Sequence, residues 1–548
     1  MKTMICTKKE AFNRLGFLFV SIMILSLCTT CNKDINNISV NYKSFTTTYD
    51  FVFLDAKSRD LIGEASSLSV SVEFKGLDAG LIRDISGANS TNYKSDKGFL
   101  SIGIKTDTKL PSPTNPLQFV MVANVNGYIS TSLPVTICDT VHGSMEIQMV
   151  NLSDPPTGIS VVESNSLVIN NGVVSSTVNL STPLVNKLTT NATLVVPQGA
   201  VLKDKDGALL SGTANIRLLY GDGSNTSDGV FPGGGLTTKV SIDNVTSDGM
   251  FYSAGFIDLE ITDQSGKKAT FIESKPLNVL IEIPANTYNP ETETSVKAGD
   301  IIPIWSYNMD EGNWIFEFND TAKVVDEKLI IESQLSHLTI YNWDFSTWTC
   351  NPGGSRPVIH FKSTYYTTAN TVSFYLTARR QSDLMEIAKT GNFTINIFDG
   401  TVGVLLTYGY NQPVLFGAVE AYSNEVLGSQ MIYNTCIPGS YNLFLSPGTG
   451  PILDATTLLH ITVTGKCGSV SVNPSGGFYY KRLTPTPSDW INGYLYNGVA
   501  EVSVFPNSTY RISGYFNGLT RQYDIQIGEP NHTYYQVIDV NLPAEYCN

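Results

Sequence analysis

Apolar and polar residues take turns along much of this chain. Leu68, Val70, Val72 and Phe74 fall on one face of a short segment, with Ser69, Ser71 and Glu73 on the other. A period of two marks a half-buried β-strand. The same alternation returns at Leu100, Ile102 and Ile104, in FVMVANVNGYISTSLPVTI, in KPLNVLIEIP, in SHLTIYNWDF and in AEVSVFPNSTYRISGYF. Turn signals separate the runs. Asp96-Lys97-Gly98, Asp206-Gly207 and Asp310-Glu311-Gly312 each provide the glycine that a tight hairpin needs for positive φ. One stretch departs from the pattern: SDLMEIAK, Ser382 to Lys389, is amphipathic behind a capping serine and predicts a short helix.

Breakers divide the strands into groups. Asp154, Pro155, Pro156 and Thr157 form an extended linker, because each residue before proline is pushed out of the helical region. The expected modules are 44–154, 158–348, 349–465 and 466–548. At roughly 100 to 200 residues per domain, 548 residues allow about three to five. The predicted class is all-β: tandem β-sandwich modules of Ig-like or transthyretin-like type.

Composition sharpens this. Hydrophobic residues make up 42% and charged residues only 15%, with 45 Gly and 25 Pro, which is a globular, turn-rich balance. Lys and Arg number 35 against 49 Asp and Glu, so the net charge is -14. That balance argues against nucleic acid or an anionic membrane surface as a partner, since both require a basic patch.

The first thirty residues read as an address. Lys2, Lys8, Lys9 and Arg14 precede the apolar run Leu15 to Leu27, followed by CTTC. A run of about thirteen residues is signal-peptide length and is too short for a membrane span of about twenty. The run ending in small residues and Cys resembles a bacterial lipoprotein lipobox. The resemblance implies a signal peptide over 1–30, lipidation at Cys31 and a tether over 31–43. Small Thr30 favours Cys31, and Cys28 is the alternative. Asn32, Lys33 and Asp34 resemble the export signal of Bacteroidota-type surface lipoproteins. The expected location is therefore the outer membrane, held by lipid alone and facing outward, since several acyl chains anchor a protein nearly irreversibly.

Three of the eight cysteines, Cys6, Cys28 and Cys31, belong to this leader. The odd remainder leaves at least one unpaired. Cys350 with Cys436 and Cys467 with Cys547 are the expected disulfides, and Cys138, in LPVTIC, reads as a buried apolar residue. Outside the leader no CxxC pair occurs to support zinc.

The order of strands and turns in 44–154, and again in the last module, resembles the carboxypeptidase-regulatory-like β-sandwich, whose members are usually non-catalytic. The central series resembles the ankyrin, zonula-occludens and netrin-receptor type of β-domain and the related region of cartilage intermediate layer proteins. Val196 and Pro197 before Gly199, and His337-Leu338, carry that match, which implies an adhesion or scaffold module.

Candidate chemistry is sparse. His142, His337, His360, His460 and His532 are scattered, with no metal-binding or triad spacing, and no nucleophile elbow or phosphate loop occurs. The loop with Asp204 and Asp206 resembles half of a calcium site but lacks the later Glu, and reads better as a hairpin. The glycine-rich Gly221 to Gly235 stretch lies between strands, so a loop explains it better than a phosphate cradle. Glu260, Asp263 and Glu273 are candidate glycosidase carboxylates, although alternation along strands accounts for them. No cofactor, metal or catalytic residue is expected. Asp139-Thr140-Val141 and Asp320-Thr321-Ala322 resemble the O-glycosylation triplet of Bacteroidota extracytoplasmic proteins.

Fourteen aromatic residues fall between Cys467 and Cys547, well above the chain-wide 10%. Aromatic faces stack on sugars or anchor protein interfaces. Trp490, Tyr494 and Tyr496, in a Gly/Asn-punctuated loop and hairpin, are the expected exposed ligand-binding set. The expected function is a non-catalytic scaffold or accessory subunit partnered by outer-membrane protein. The alternatives are a surface polysaccharide-binding protein and a hydrolase without a local motif.

Overall fold

The computed structural model describes residues 45–541 apart from short intervals at 46, 85–89, 106–108, 113–114, 138–139, 141–142, 224–227, 235–236, 286, 349–356, 367–369, 382–383, 385, 390–392, 396–400, 403–411, 421–422, 438, 450–452, 455–456, 468–469, 486, 489 and 517–518. Cys31, Asn32, Lys33, Asp34, Cys138, Cys350 and Cys547 lie outside the described residues.

Strands build nearly all of it, and the described residues hold only single helical turns such as Ala79–Leu81 and Asp228–Val230. The first sandwich pairs one sheet, Ile82–Asp84, Phe99–Ile104, Thr48–Asp55 and Gly143–Met149, with a second, Tyr93–Lys94, Ser71–Lys75, Leu117–Asn124 and Thr131–Ile137. Phe51 and Phe53 point between the two sheets with Val70, Val72, Ile102 and Met121. Their neighbours Val52 and Leu54 point the other way and are buried as well. An unbroken apolar run such as FVFL belongs in a strand covered on both faces. At the hairpin before Phe99, Lys97 and Gly98 take φ of 48° and 82°, and Asp96 bridges Phe99. A side chain at Gly98 would press Leu61 and the Phe53 carbonyl at 3.0 Å, so the position requires glycine twice over.

The central region is a ten-stranded sheet packed on a five-stranded one. Its backbone is the strand Val245–Asp263, which pairs with Thr237–Ile242 in its first half and Gly212–Gly221 in its second. Ile340–Trp348 runs along its other edge. The hairpin tip after Ile301–Asn308 reaches the first sandwich, where the Tyr307 hydroxyl donates to the Ser132 carbonyl at 2.8 Å and Ser132 Oγ donates to the Met309 carbonyl at 2.7 Å. The main apolar core runs without interruption from Leu167 in the central region to Leu445 in the third. The described residues accordingly fall in one unit rather than in separate beads.

Two sequence expectations change. Within SDLMEIAK, Glu386–Lys389 is a strand and not a helix. It pairs antiparallel with Thr377, Ala378 and Arg379, so ladder hydrogen bonds to a neighbour override a weak local helical preference. The last sandwich also starts earlier than 466. Leu458–Cys467 pairs with Val499–Ser503 on one side and, in parallel, with Thr533–Asn541 on the other. Its second sheet is Ile491–Leu495, Gly476–Thr484, Ser508–Phe516 and Leu519–Ile527.

Candidate functional site

The three aromatic residues singled out from the sequence part company. Trp490 is only 6% exposed, whereas Tyr494 is 45% and Tyr496 71% exposed. The expectation of an exposed Trp490 is therefore wrong, and the reason is a contact with the far end of the chain. Trp490 and Tyr479 pack against Phe99 of the first sandwich, with ring centroids 5.9 Å and 5.0 Å apart. Val52, Leu54 and Leu61 complete this cluster. It is a sheet-on-sheet contact. The outer face of Thr48–Asp55 and Phe99–Ile104 meets the outer face of the second sheet of the last sandwich.

Polar contacts frame the rings. Glu64 accepts from Arg511 at 2.9 Å and lies 3.6 Å from the Lys481 ammonium. Asp96 accepts from the Thr520 backbone N–H, and its carbonyl accepts from Thr520 Oγ1 at 2.5 Å. The Lys481 ammonium sits over the Trp490 ring at 4.6 Å. Partly exposed ion pairs contribute under about 1 kcal/mol each. Burial of large rings at about 25 cal/mol/Å² contributes several kcal/mol. The rings hold the sandwiches together, and the ions set their alignment. Tyr494 stands at the rim, where burial and then the charge of Asp50 raise its hydroxyl pKa. Tyr496 is clear of this contact.

A second anchor joins the third region to the central one. Arg380 is 1% exposed, its guanidinium 3.7 Å above the Tyr252 ring and donating to the Phe251 carbonyl. Asp344 lies fully buried nearby. Burial pushes its carboxyl well up, against the lowering pull of the Asn342 hydrogen bond and the Arg380 charge.

The other candidates have structural roles. Glu260 is gripped by Lys268 at 2.5 Å and Arg217 at 3.4 Å; burial raises its pKa, but these cations outweigh it and hold the carboxyl low. Asp258, bound to the same Arg217, is raised by burial. Asp263 accepts from the backbone of Ser211, Ser265 and Lys267, and Glu273 pairs with Lys203 at 2.8 Å. Asp204 accepts from the backbone of Asp206 and Ala208, which closes a hairpin. His337 meets Glu317 at 3.2 Å while Ser306 donates to the same carboxylate oxygen at 2.6 Å. Serine and histidine thus meet on one carboxylate oxygen, which has lone pairs for both. Among the described residues no three His, Cys, Asp or Glu side chains converge as metal ligands.

Cys436 is disulfide-bonded. Cys467 ends the strand Leu458–Cys467. Thr321, at the end of Asn313–Thr321, is exposed, while Asp139 and Val141 lie outside the described residues. Sequence reasoning missed Phe99, Tyr479, Glu64 and Arg511; the one available signal was FVFL, a strand with no polar face.

No protein-family profile and no curated protein matches the chain. Among solved structures it is similar to GBS52, the minor pilin of Streptococcus agalactiae, at 10% identity and a TM-score of 0.12, covering 35% of this chain and 97% of that one. It is also similar to BcpA, the major pilin subunit of Bacillus cereus, at 9% identity and a TM-score of 0.13, covering 90% and 99%. Likeness at this level carries no argument about function. The chain is an all-β protein built of packed β-sandwiches.

Proposed function

We propose that the protein is a non-catalytic, surface-exposed outer-membrane lipoprotein, acylated at Cys31, that serves as a scaffold or accessory subunit of an outer-membrane protein assembly. The observation that carries this reading is the Phe99, Tyr479 and Trp490 contact, which locks the first sandwich onto the last. A body braced in this way presents fixed surfaces to partner proteins. The candidate carboxylates Glu260, Asp263 and Glu273 each hold a cation or a turn. Affinity purification from detergent-solubilised outer membranes tests the proposal. Stoichiometric recovery with an outer-membrane barrel is the expected result; recovery of the chain alone counts against it. Surface proteolysis of intact cells tests the location, and protection from protease removes the outward-facing placement.

Surface glycan binding is the second reading, favoured by the exposure of Tyr494 and Tyr496. Binding on a glycan array that Tyr496→Ala abolishes supports it. Trp490→Ala does not test it, because that ring is inside the contact with the first sandwich.

A further inference from the structure

The strand Thr533–Asn541 closes the last sandwich, and among the described residues it is an open edge. It pairs in parallel with Leu458–Lys466 through nine consecutive positions without a bulge, and no described strand pairs with its other side. Exposed edges normally carry lysine, proline, a bulge or a cover that prevents pairing with another chain. TYYQVIDVN has no lysine, proline or glycine, and its one charge, Asp539, is bound by Lys466. Two other edges among the described residues are guarded. Thr131–Ile137 contains Pro134 and is covered by the Met309 hairpin, and Leu519–Ile527 carries Arg521 and Asp524. On Thr533–Asn541, by contrast, Tyr535 and Val537 stand out 73% and 64% exposed on the sheet's outer face. The carbonyl of Val537 takes a hydrogen bond from the Gln536 side-chain amide at 3.1 Å. A backbone N–H of an added strand can take that amide's place.

We propose that this edge is the contact between two copies of the chain, which pair antiparallel through Thr533–Asn541 about a two-fold axis at Gln536. The sequence is self-complementary in that register. Tyr535 falls opposite Val537 of the second copy on the outer face, and Tyr534 opposite Ile538 of the second copy on the inner face, each pair occurring twice. Aromatic with β-branched partners are the stabilising cross-strand pairs, and no like charges meet. A two-fold contact uses the same surface on both copies, so it closes at two and does not extend into a fibre. A single strand pair buries less than the roughly 1,200 Å² of a standard interface, the size class of weak and transient contacts.

Sedimentation equilibrium of the full chain in detergent tests this directly. The expected result is a monomer–dimer equilibrium that Val537→Lys weakens at least about tenfold. Val537 points into solvent, so the far-UV spectrum and melting temperature of that variant are expected to match wild type. Gln536→Cys is expected to cross-link the two copies under mild oxidation. Thr533→Cys is not, because its two copies lie about 20 Å apart along the strands. A chain that stays monomeric at all concentrations, or a dimer indifferent to Val537→Lys, overturns the proposal. Cross-linking through position 533 in place of 536 overturns the two-fold register.

Discussion

Phe99 and Trp490 meet edge to face, their ring centroids 5.9 Å apart, although one belongs to the first sandwich and the other to the last. The edge-to-face arrangement sets the positive rim of one ring against the negative face of the other. The contact makes the chain's two ends depend on each other.

Trp490→Ala is therefore expected to destabilise the protein by about 3 kcal/mol, as large-to-small changes in packed cores do. Phe99→Ala should cost a similar amount, and the double variant less than the sum, because the two deletions remove the same contact. Urea denaturation of the four proteins measures this. Additive losses would mean that the rings stabilise their own sandwiches independently.

Arg380 and Asp344 make a pH-dependent pair. The carboxyl of Asp344 titrates higher in the folded chain than in the unfolded one, so the folded state binds that proton more tightly. Stability at this site is greatest in acid and falls as pH climbs through the folded value. Arg380 pulls that value down. Arg380→Met removes that pull, so the folded value climbs further and the variant is expected to lose more stability the higher the pH. Part of the loss should return on acidification from about pH 8 to about pH 5, and a further Asp344→Asn change should remove that recovery. Urea midpoints at the two pH values report it, and a pH-independent loss in Arg380→Met would contradict the pairing.

Glu317 behaves in the opposite sense. The His337 hydrogen bond, joined by that of Ser306, holds its carboxyl below the usual range in spite of burial. Its contribution is present above the unfolded pKa and disappears as pH falls through the folded one. Glu317→Gln is expected to lose under about 1 kcal/mol at neutral pH, given the partial exposure of the pair, and nothing in strong acid. Thermal melts along a pH series check the convergence.

Disulfide mapping addresses the cysteines. Asn541 pairs with Lys466, next to Cys467. The six residues from Asn541 to Cys547 can span up to about 20 Å, which is chain enough for that pairing. Peptides joined through Cys467–Cys547 and Cys350–Cys436 are expected by mass spectrometry, and reduction should lower stability by about 2 to 4 kcal/mol.

Much of the fold was written in local pattern. Alternation placed the strands at Val70 to Phe74 and Leu100 to Ile104, and the Asp96, Asp206 and Asp310 turns fall where glycine permits them. What local pattern could not carry was the second covering of a face. All six residues of Phe99–Ile104 are buried: Leu100, Ile102 and Ile104 in the first sandwich's own core, and Phe99 under the last sandwich. Trp490 misled for the same reason: Gly and Asn around it mark a loop whether that loop faces water or a neighbouring sheet. Leu458–Cys467 was assigned to the wrong region because a strand's alternation says that it pairs and not with what. SDLMEIAK failed on length, since four strand residues beside a long neighbour need little propensity of their own.

The burial of Val52, Leu54 and Phe99 under the last sandwich also imposes an order on biogenesis. These residues are made early, and their cover is made last. The first sandwich must emerge with a bare apolar face and keep it from other chains while the remaining sandwiches are synthesised. Truncation from the C-terminus would leave that face permanently bare, so a shortened chain should be lost to aggregation or proteolysis even though its first sandwich has every strand it needs.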